Sequence, residues 1–149
     1  MRSVRERIFA TLQSGLAAPD RPILRNAPIH DLGGRFLSLS DGSTELIEEY
    51  FNPERFEFSL RPKLTLLVLS AVPETSFNPE DAAARDEALD GLIEAISVAF
   101  SAISDWPDEV MDWRMLPPEF TTHEIMGAAG MKGCDIAFEI DYWSDRREG

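Results

Sequence analysis

Residues 81–103 constrain this chain more than any other stretch. Leu89, Leu92, Ile93, Ile96, Ala99, Phe100 and Ile103 recur at three- and four-residue spacing, which places them in one apolar stripe along a helix. Arg85, Asp86, Asp90, Glu94, Ser97 and Ser101 fall largely between the stripe positions. Just upstream, Asn78 suits a cap and Pro79 the first helical turn, and Glu80 and Asp81 suit the positive end of the helix dipole. A helix this one-sided must be covered by a sheet or by another helix.

The rest of the chain supplies one further helix and the strands. Val4, Ile8, Leu12 and Leu16 stand four apart with Phe9 widening the stripe, so 3–16 reads as an amphipathic helix. Ser3 is its cap, with Glu6 three residues later, and Gly15 with Ala17-Ala18-Pro19 closes it. Residues 19–34 form a proline- and glycine-rich connector with a short strand at Ile23-Leu24. Residues 36–40 read as a strand, Asp41-Gly42 as a turn, and 44–51 as a partner strand, with helix the alternative because of Glu45, Glu48 and Glu49. Phe56, Phe58 and Leu60 alternate with polar residues in a half-buried strand, and Pro62 predicts a bulge or bend there. The nearly continuous apolar run 64–69 predicts a strand covered on both faces. Strands follow at 110–116 and 120–126, a glycine-rich loop at 127–133, and a last strand at 135–143 with Ile136, Phe138, Ile140 and Tyr142 on one face. The fold class is therefore α+β: a single domain over residues 1–149, a mostly antiparallel sheet, and an N-terminal and a long central helix packed on it. Phe56, Phe58, Leu67, Leu89, Leu92, Ile93, Ile96, Phe100, Phe138 and Ile140 are its expected core.

Charge narrows the partners. The 14 Lys and Arg stand against 27 Asp and Glu, for a net charge of −13. Such a surface repels nucleic acid and anionic membrane, since phosphate binding depends on cationic side chains. The sign is uneven along the chain: six arginines meet three acids through Arg35, and eight basic residues meet 24 acidic ones after it. No apolar run approaches the roughly 20 residues of a membrane span, and Glu6, Thr11, Gln13 and Ser14 argue against reading the N-terminus as a signal peptide. The single cysteine, Cys134, has no internal disulfide partner, which fits a reducing compartment.

Chemical motifs fail one by one. Gly127-Ala-Ala-Gly130-Met-Lys132-Gly133 lacks the Ser or Thr that follows the lysine of a phosphate loop. His123-Glu124 opens like a zinc-protease motif, but Gly127 stands where its second histidine belongs. Asp105, Asp108, Glu109 and Asp112 lack the spacing and central glycine of a calcium loop. His30 sits alone in a polar connector, and the Glu48-Glu49 pair would point to opposite faces of a strand. Neither a catalytic residue nor a cofactor or metal site is expected, and an enzyme is not the expected class.

Several short strings stand out along this order of elements: Val4-Arg5-Glu6-Arg7-Ile8, Ile23-Leu24-Arg25-Asn26-Ala27-Pro28, Ser40-Asp41-Gly42, Asp86-Glu87-Ala88-Leu89-Asp90-Gly91-Leu92-Ile93 and Phe138-Glu139-Ile140-Asp141-Tyr142. Together with the order of elements they resemble the tail terminator proteins of long-tailed phages and prophages, a family also described as tail completion or minor tail proteins. The resemblance implies a homo-oligomeric ring, typically of six copies, that caps the tail tube and presents a surface to the head–tail connector protein. It implies assembly in the host cytoplasm and a final place in the virion tail, without enzymatic activity. A neck or connector component, or an acidic binding module such as an immunity or inhibitor protein, is the competing expectation. A ring closed by heterologous contacts needs two complementary patches. The expected subunit interface pairs Arg2, Arg5, Arg7 and Arg25 of one copy with acids such as Asp86, Asp90 and Glu94 of the next.

Overall fold

A computed structural model describes residues 2–19, 21–26, 35–52, 55–70, 79–125 and 128–146. The elements run α1 (Val4–Leu16), β1 (Leu24–Arg25), β2 (Arg35–Asn52), β3 (Arg55–Ser70), α2 (Pro79–Ser101), β4 (Val110–Met115), β5 (Glu119–Ile125) and β6 (Ala128–Ser144). They form a single-domain α+β fold. Six strands make one sheet in the order β1-β2-β3-β6-β4, and β5 lies beside the other half of β6. All pairings are antiparallel except that of β1 with β2.

Both helices lie on one face of this sheet. α2 packs on β3 and β6, and α1 packs on β6 and on α2. The strands answer with every second residue: Phe58, Leu60, Leu64, Leu66 and Val68 of β3, and Cys134, Ile136, Phe138, Ile140 and Tyr142 of β6, are buried. Ile8, Phe9, Leu12 and Leu16 of α1 join Leu89, Leu92, Ile96 and Phe100 of α2 and Ile103 just beyond it in the same core cluster. Ile93 and Ala99 pack against it from the edge, so the whole α2 stripe is used as expected. Asn78, the expected cap, lies outside the described residues.

Leu67 corrects the expectation of a strand covered on both sides. It is only half-buried and stands opposite Ser38 and Asp135, on the face away from the helices. One covered face is enough to hold this run, because Leu64, Leu66 and Val68 reach the core while Leu67 does not. The side chain of Phe56 lies outside the described residues.

The Asp41-Gly42 turn is also corrected. β2 runs straight through it and pairs with β3 from Arg35 to Asn52, so the reversal falls after Asn52, where Asn52 stands opposite Arg55. Residues 41–44 instead form a bulge, and a second register shift follows between Leu46 and Glu48. These two extra residues account for the 18 residues of β2 against the 16 of β3. The first bulge faces Pro62 and Lys63, so the irregularity expected at Pro62 lies in its partner strand. A Cβ on Gly42 would stand 3.3 Å from the stem of Lys63, a tight contact that this exposed side chain can relieve by a small shift. The glycine-rich stretch beginning at 128 likewise belongs to β6, where Ala128 and Met131 to Gly133 pair with β5 on either side of an irregularity.

Gly15 is not a terminator of α1, which continues to Leu16 and ends at the extended Ala17. A Cβ at Gly15 would stand 2.5 Å from Ile103 Cγ1, so the missing side chain lets α1 approach the end of α2. Two outcomes follow for denaturant melts. Ile96→Ala, fully buried in the α2 stripe, should cost about 2–5 kcal/mol; an unchanged melt would remove the stripe from the core. Gly15→Ala should destabilise by roughly 1–2 kcal/mol, because overpacking outweighs the gain in helix propensity. Combined with Ile103→Ala, its cost should be less than the sum of the two single changes.

Candidate assembly surface

The expected basic patch divides into two parts. Arg2 and Arg5 are exposed, and among the described residues neither makes an ion pair. Arg7 and Arg25 are engaged within the chain. The Nη2 of Arg7 donates to Glu109 Oε1 at 2.7 Å, tying α1 to the turn before β4. Arg25 forks onto Glu6, with Nη1 and Nη2 at 2.5 and 2.7 Å from the two carboxylate oxygens, and its guanidinium lies 4.2 Å above the Phe9 ring. Ser3 accepts from the Glu6 N–H as a helix cap, but the Glu6 carboxylate turns to Arg25 and not back to the cap.

The next residue extends this corner into the sheet. Asn26 adopts a left-handed φ of 46°, a conformation asparagine tolerates better than most side chains. In that pose its N–H donates to Leu39 O at 2.9 Å. Its amide Nδ2 donates to Asp41 Oδ1 at 2.9 Å, and its Oδ1 accepts from the Asp41 N–H at 3.2 Å. The Asp41 bond occupies the edge of β2 just beyond the two-residue β1. Gln13 secures the same connector by donating from Nε2 to Ile23 O at 2.9 Å.

The expected acidic patch is partly retained. Asp90 and Glu94 are exposed on α2, while Asp86 is half-buried and has an interaction of its own. Glu94 shares an open groove with Arg21, Gly91, Ala95, Val98 and Ala99. Arg21, which the sequence did not single out, also donates from Nε to Leu16 O at 3.1 Å. The acidic helix face therefore has a cation of the same chain beside it.

The uncovered face of the sheet carries a charge ladder that was not anticipated. Arg61 forks onto Asp141 at 2.7 and 3.0 Å and reaches Glu139 Oε2 at 3.0 Å. Arg114 Nη2 meets that same Glu139 oxygen at 2.5 Å, and its Nη1 meets Asp112 at 2.7 Å. Signs thus alternate from β4 across β6 to β3, and Glu45 on β2 adds its field to Arg61. The Asp141 contact, foremost, holds the Arg61 guanidinium even more firmly protonated. Beside the ladder lies a cleft of about 260 Å³ lined by Ser43, Glu45, Arg61 and Lys63 among others. A sequence signal existed: the solvent-side positions of β3 include Arg61 and Lys63, and those of β6 include Asp135, Glu139 and Asp141.

Among the described residues, no group of three or more His, Cys, Asp or Glu side chains is placed to hold a metal ion, and no helix is long and apolar enough to cross a membrane. Cys134 is fully buried, and desolvation pushes its thiol up to about 11. His30, and the side chain of His123, lie outside the described residues. Comparison of the chain with protein-family models and with curated proteins finds no match.

Hydrogen bonds from Arg25 and Arg7 lower the Glu6 and Glu109 carboxyls below their ordinary value. Their contribution to stability is therefore present above the unfolded carboxylate pKa of about 4.5 and is lost as pH falls through the lower folded values. These are exposed pairs, each worth about 0.2–1 kcal/mol. A Glu6→Gln/Glu109→Gln variant should lose less stability than the parent between about pH 6 and pH 3, measured by urea melts. Equal losses would show that the two pairs add nothing.

Proposed function

We propose that this chain is a non-enzymatic structural subunit of a phage tail: a terminator that closes into a homo-oligomeric ring, caps the tail tube and meets the head–tail connector. The supporting observation is the meeting of three short strings that lie apart in the sequence. Glu6 of Val4-Arg5-Glu6-Arg7-Ile8 grips Arg25, and Asn26 beside it grips Asp41 of Ser40-Asp41-Gly42. Strings that resemble one family thus build one corner between α1, β1 and β2. The strings 86–93 and 138–142 supply the helix and the inner strand that bury the core.

A ring requires a donor and an acceptor patch on each copy. Arg7 and Arg25 leave the donor set because Glu109 and Glu6 of the same chain hold them, so Arg2 and Arg5 remain to meet Asp90 and Glu94 of a neighbouring copy. The net charge of −13 would let DNA pass such a ring without being gripped. Assembly would take place in the host cytoplasm, and the product would reside in the virion tail. A neck or connector component would share these features. The exposed acids Asp105, Asp108 and Asp112 favour a second class, an acidic module of the immunity or inhibitor type that covers a basic partner.

Light scattering after gel filtration separates the classes. The terminator should form a ring or a concentration-dependent assembly, and tail-tube subunits should recruit it. Arg2→Glu/Arg5→Glu should weaken assembly by about tenfold or more and leave the thermal melt unchanged. A strictly monomeric chain that no tube subunit recruits would contradict the terminator. Intact assembly of the Arg2→Glu/Arg5→Glu variant would reject only the interface.

A further inference from the structure

We propose that the outer edge of β4 docks an extended, basic segment of a partner chain, which would join the sheet as an additional strand. Among the described residues β4 ends the sheet and pairs only with β6. The N–H of Leu116 goes to Ala137 O. By the alternation of an antiparallel ladder, Arg114 and Asp112 then turn their backbone groups toward β6, and Trp113 and Met115 turn theirs away from it. The outward N–H of Trp113 is held only by the neighbouring carboxylate, Asp112 Oδ1, at 2.9 Å. An incoming carbonyl can take that place.

The side chains along this edge suit a docking strand better than a free surface. Met111 and Trp113 are 53% and 44% exposed, and Phe120, farther along the same side of β6, is 50% exposed. Trp113, Met115 and Phe120 stand opposite Ile140, Phe138 and Cys134, so they continue the helix-side face of the sheet. Trp113 stands on a rigid base: its ring lies 5.9 Å from that of Trp106, which in turn contacts Phe100 of α2. Lysine and proline, the usual guards of a free edge, are absent from 110–115. The outer edge of β2 differs in where it is broken: two bulges and Glu45, Glu48 and Glu49 interrupt its middle, whereas the one bulge of β4 lies at its start, between Val110 and Asp112.

Charge fixes the partner's chemistry. From Asp105 to Glu119 there are five acids and one base, and that base, Arg114, is committed to Glu139 and Asp112. Asp105, Asp108 and Asp112 are exposed around the apolar strip. A segment alternating apolar and cationic residues would place one set on Trp113 and the other beside the acids. This inference does not depend on the ring.

The test uses the full chain with two synthetic peptides, one alternating valine and lysine and one alternating valine and glutamate. Residue-resolved hydrogen exchange should slow at the Trp113 and Met115 amides by about tenfold with the lysine peptide and stay unchanged with the glutamate peptide. Asp105→Lys/Asp108→Lys, on an exposed turn outside the ladder, should weaken the lysine peptide by about tenfold with an unaltered melt. Trp113→Ala should also weaken it, by loss of apolar contact. The proposal is overturned by no protection, by protection on β2 instead, or by indifference to the charge reversal. Protection that grows with the concentration of the chain alone would make a second copy the occupant, which also overturns it.

Discussion

Burial of the alternate side chains of β3 and β6 beneath α1 and α2 is the constraint on which the remaining structure depends. Each of these strands has a neighbour on both sides, so backbone groups are satisfied within the sheet while only one face is dry. The register of all other elements follows. Moving β6 by one residue along β3 would bring Glu139 and Asp141 under the helices and expose Phe138 and Ile140. The charge ladder on the open face reinforces the same register, because Arg61 reaches Asp141 and Glu139 only when Leu60 faces Tyr142. Burial sets the pairing at a cost of several kcal/mol for any slip, and the ion pairs, partly exposed, contribute much less.

Pro62 tests this arrangement at its centre. It lacks an N–H, and the β3–β6 ladder has no recorded pair between Leu60–Tyr142 and Lys63–Glu139. The register nevertheless continues across the gap, and the fork of Arg61 on Asp141 spans it with side chains. On the opposite side β2 gains a residue beside Pro62 and another farther on. Bulges increase local twist and bend, so β2 follows β3 to the far end, where the pairs from Glu49–Phe58 through Asn52–Arg55 extend to and past the end of β6 at Ser144.

Periodic features were legible from the sequence because periodicity reports burial directly. The stripes of α1 and α2, the pair Phe58 and Leu60, and the alternation at 136–142 all found their places. Features misread from the sequence were those in which a distant strand overrides a local signal. Asp41-Gly42 has turn chemistry, yet pairing with β3 across the bulge keeps it extended. The glycines near 130 suggest a loop, yet β5 pairs with β6 on both sides of Gly130. Leu67 belongs to an apolar run whose odd positions face away from the core. The four arginines looked equivalent in sequence, and only folding brings Glu109 to Arg7 and Glu6 with Phe9 to Arg25. Partners separated by 102 positions, as Arg7 and Glu109 are, leave no local pattern to read.

The proposed role as a ring subunit and the proposed docking edge both assume a rigid interior with open margins. Residue-by-residue hydrogen exchange on the isolated chain measures that most directly. Amides of Leu64 to Val68 and of Cys134 to Ile140 should exchange slowest, with rates set by global unfolding. Outward amides of β4, at Trp113 and Met115, should exchange orders of magnitude faster, as should the outward amides of β2 between Thr44 and Leu46. Slow exchange at both margins in the isolated chain, or fast exchange within β3 and β6, would contradict a one-sided sheet held by its two inner strands.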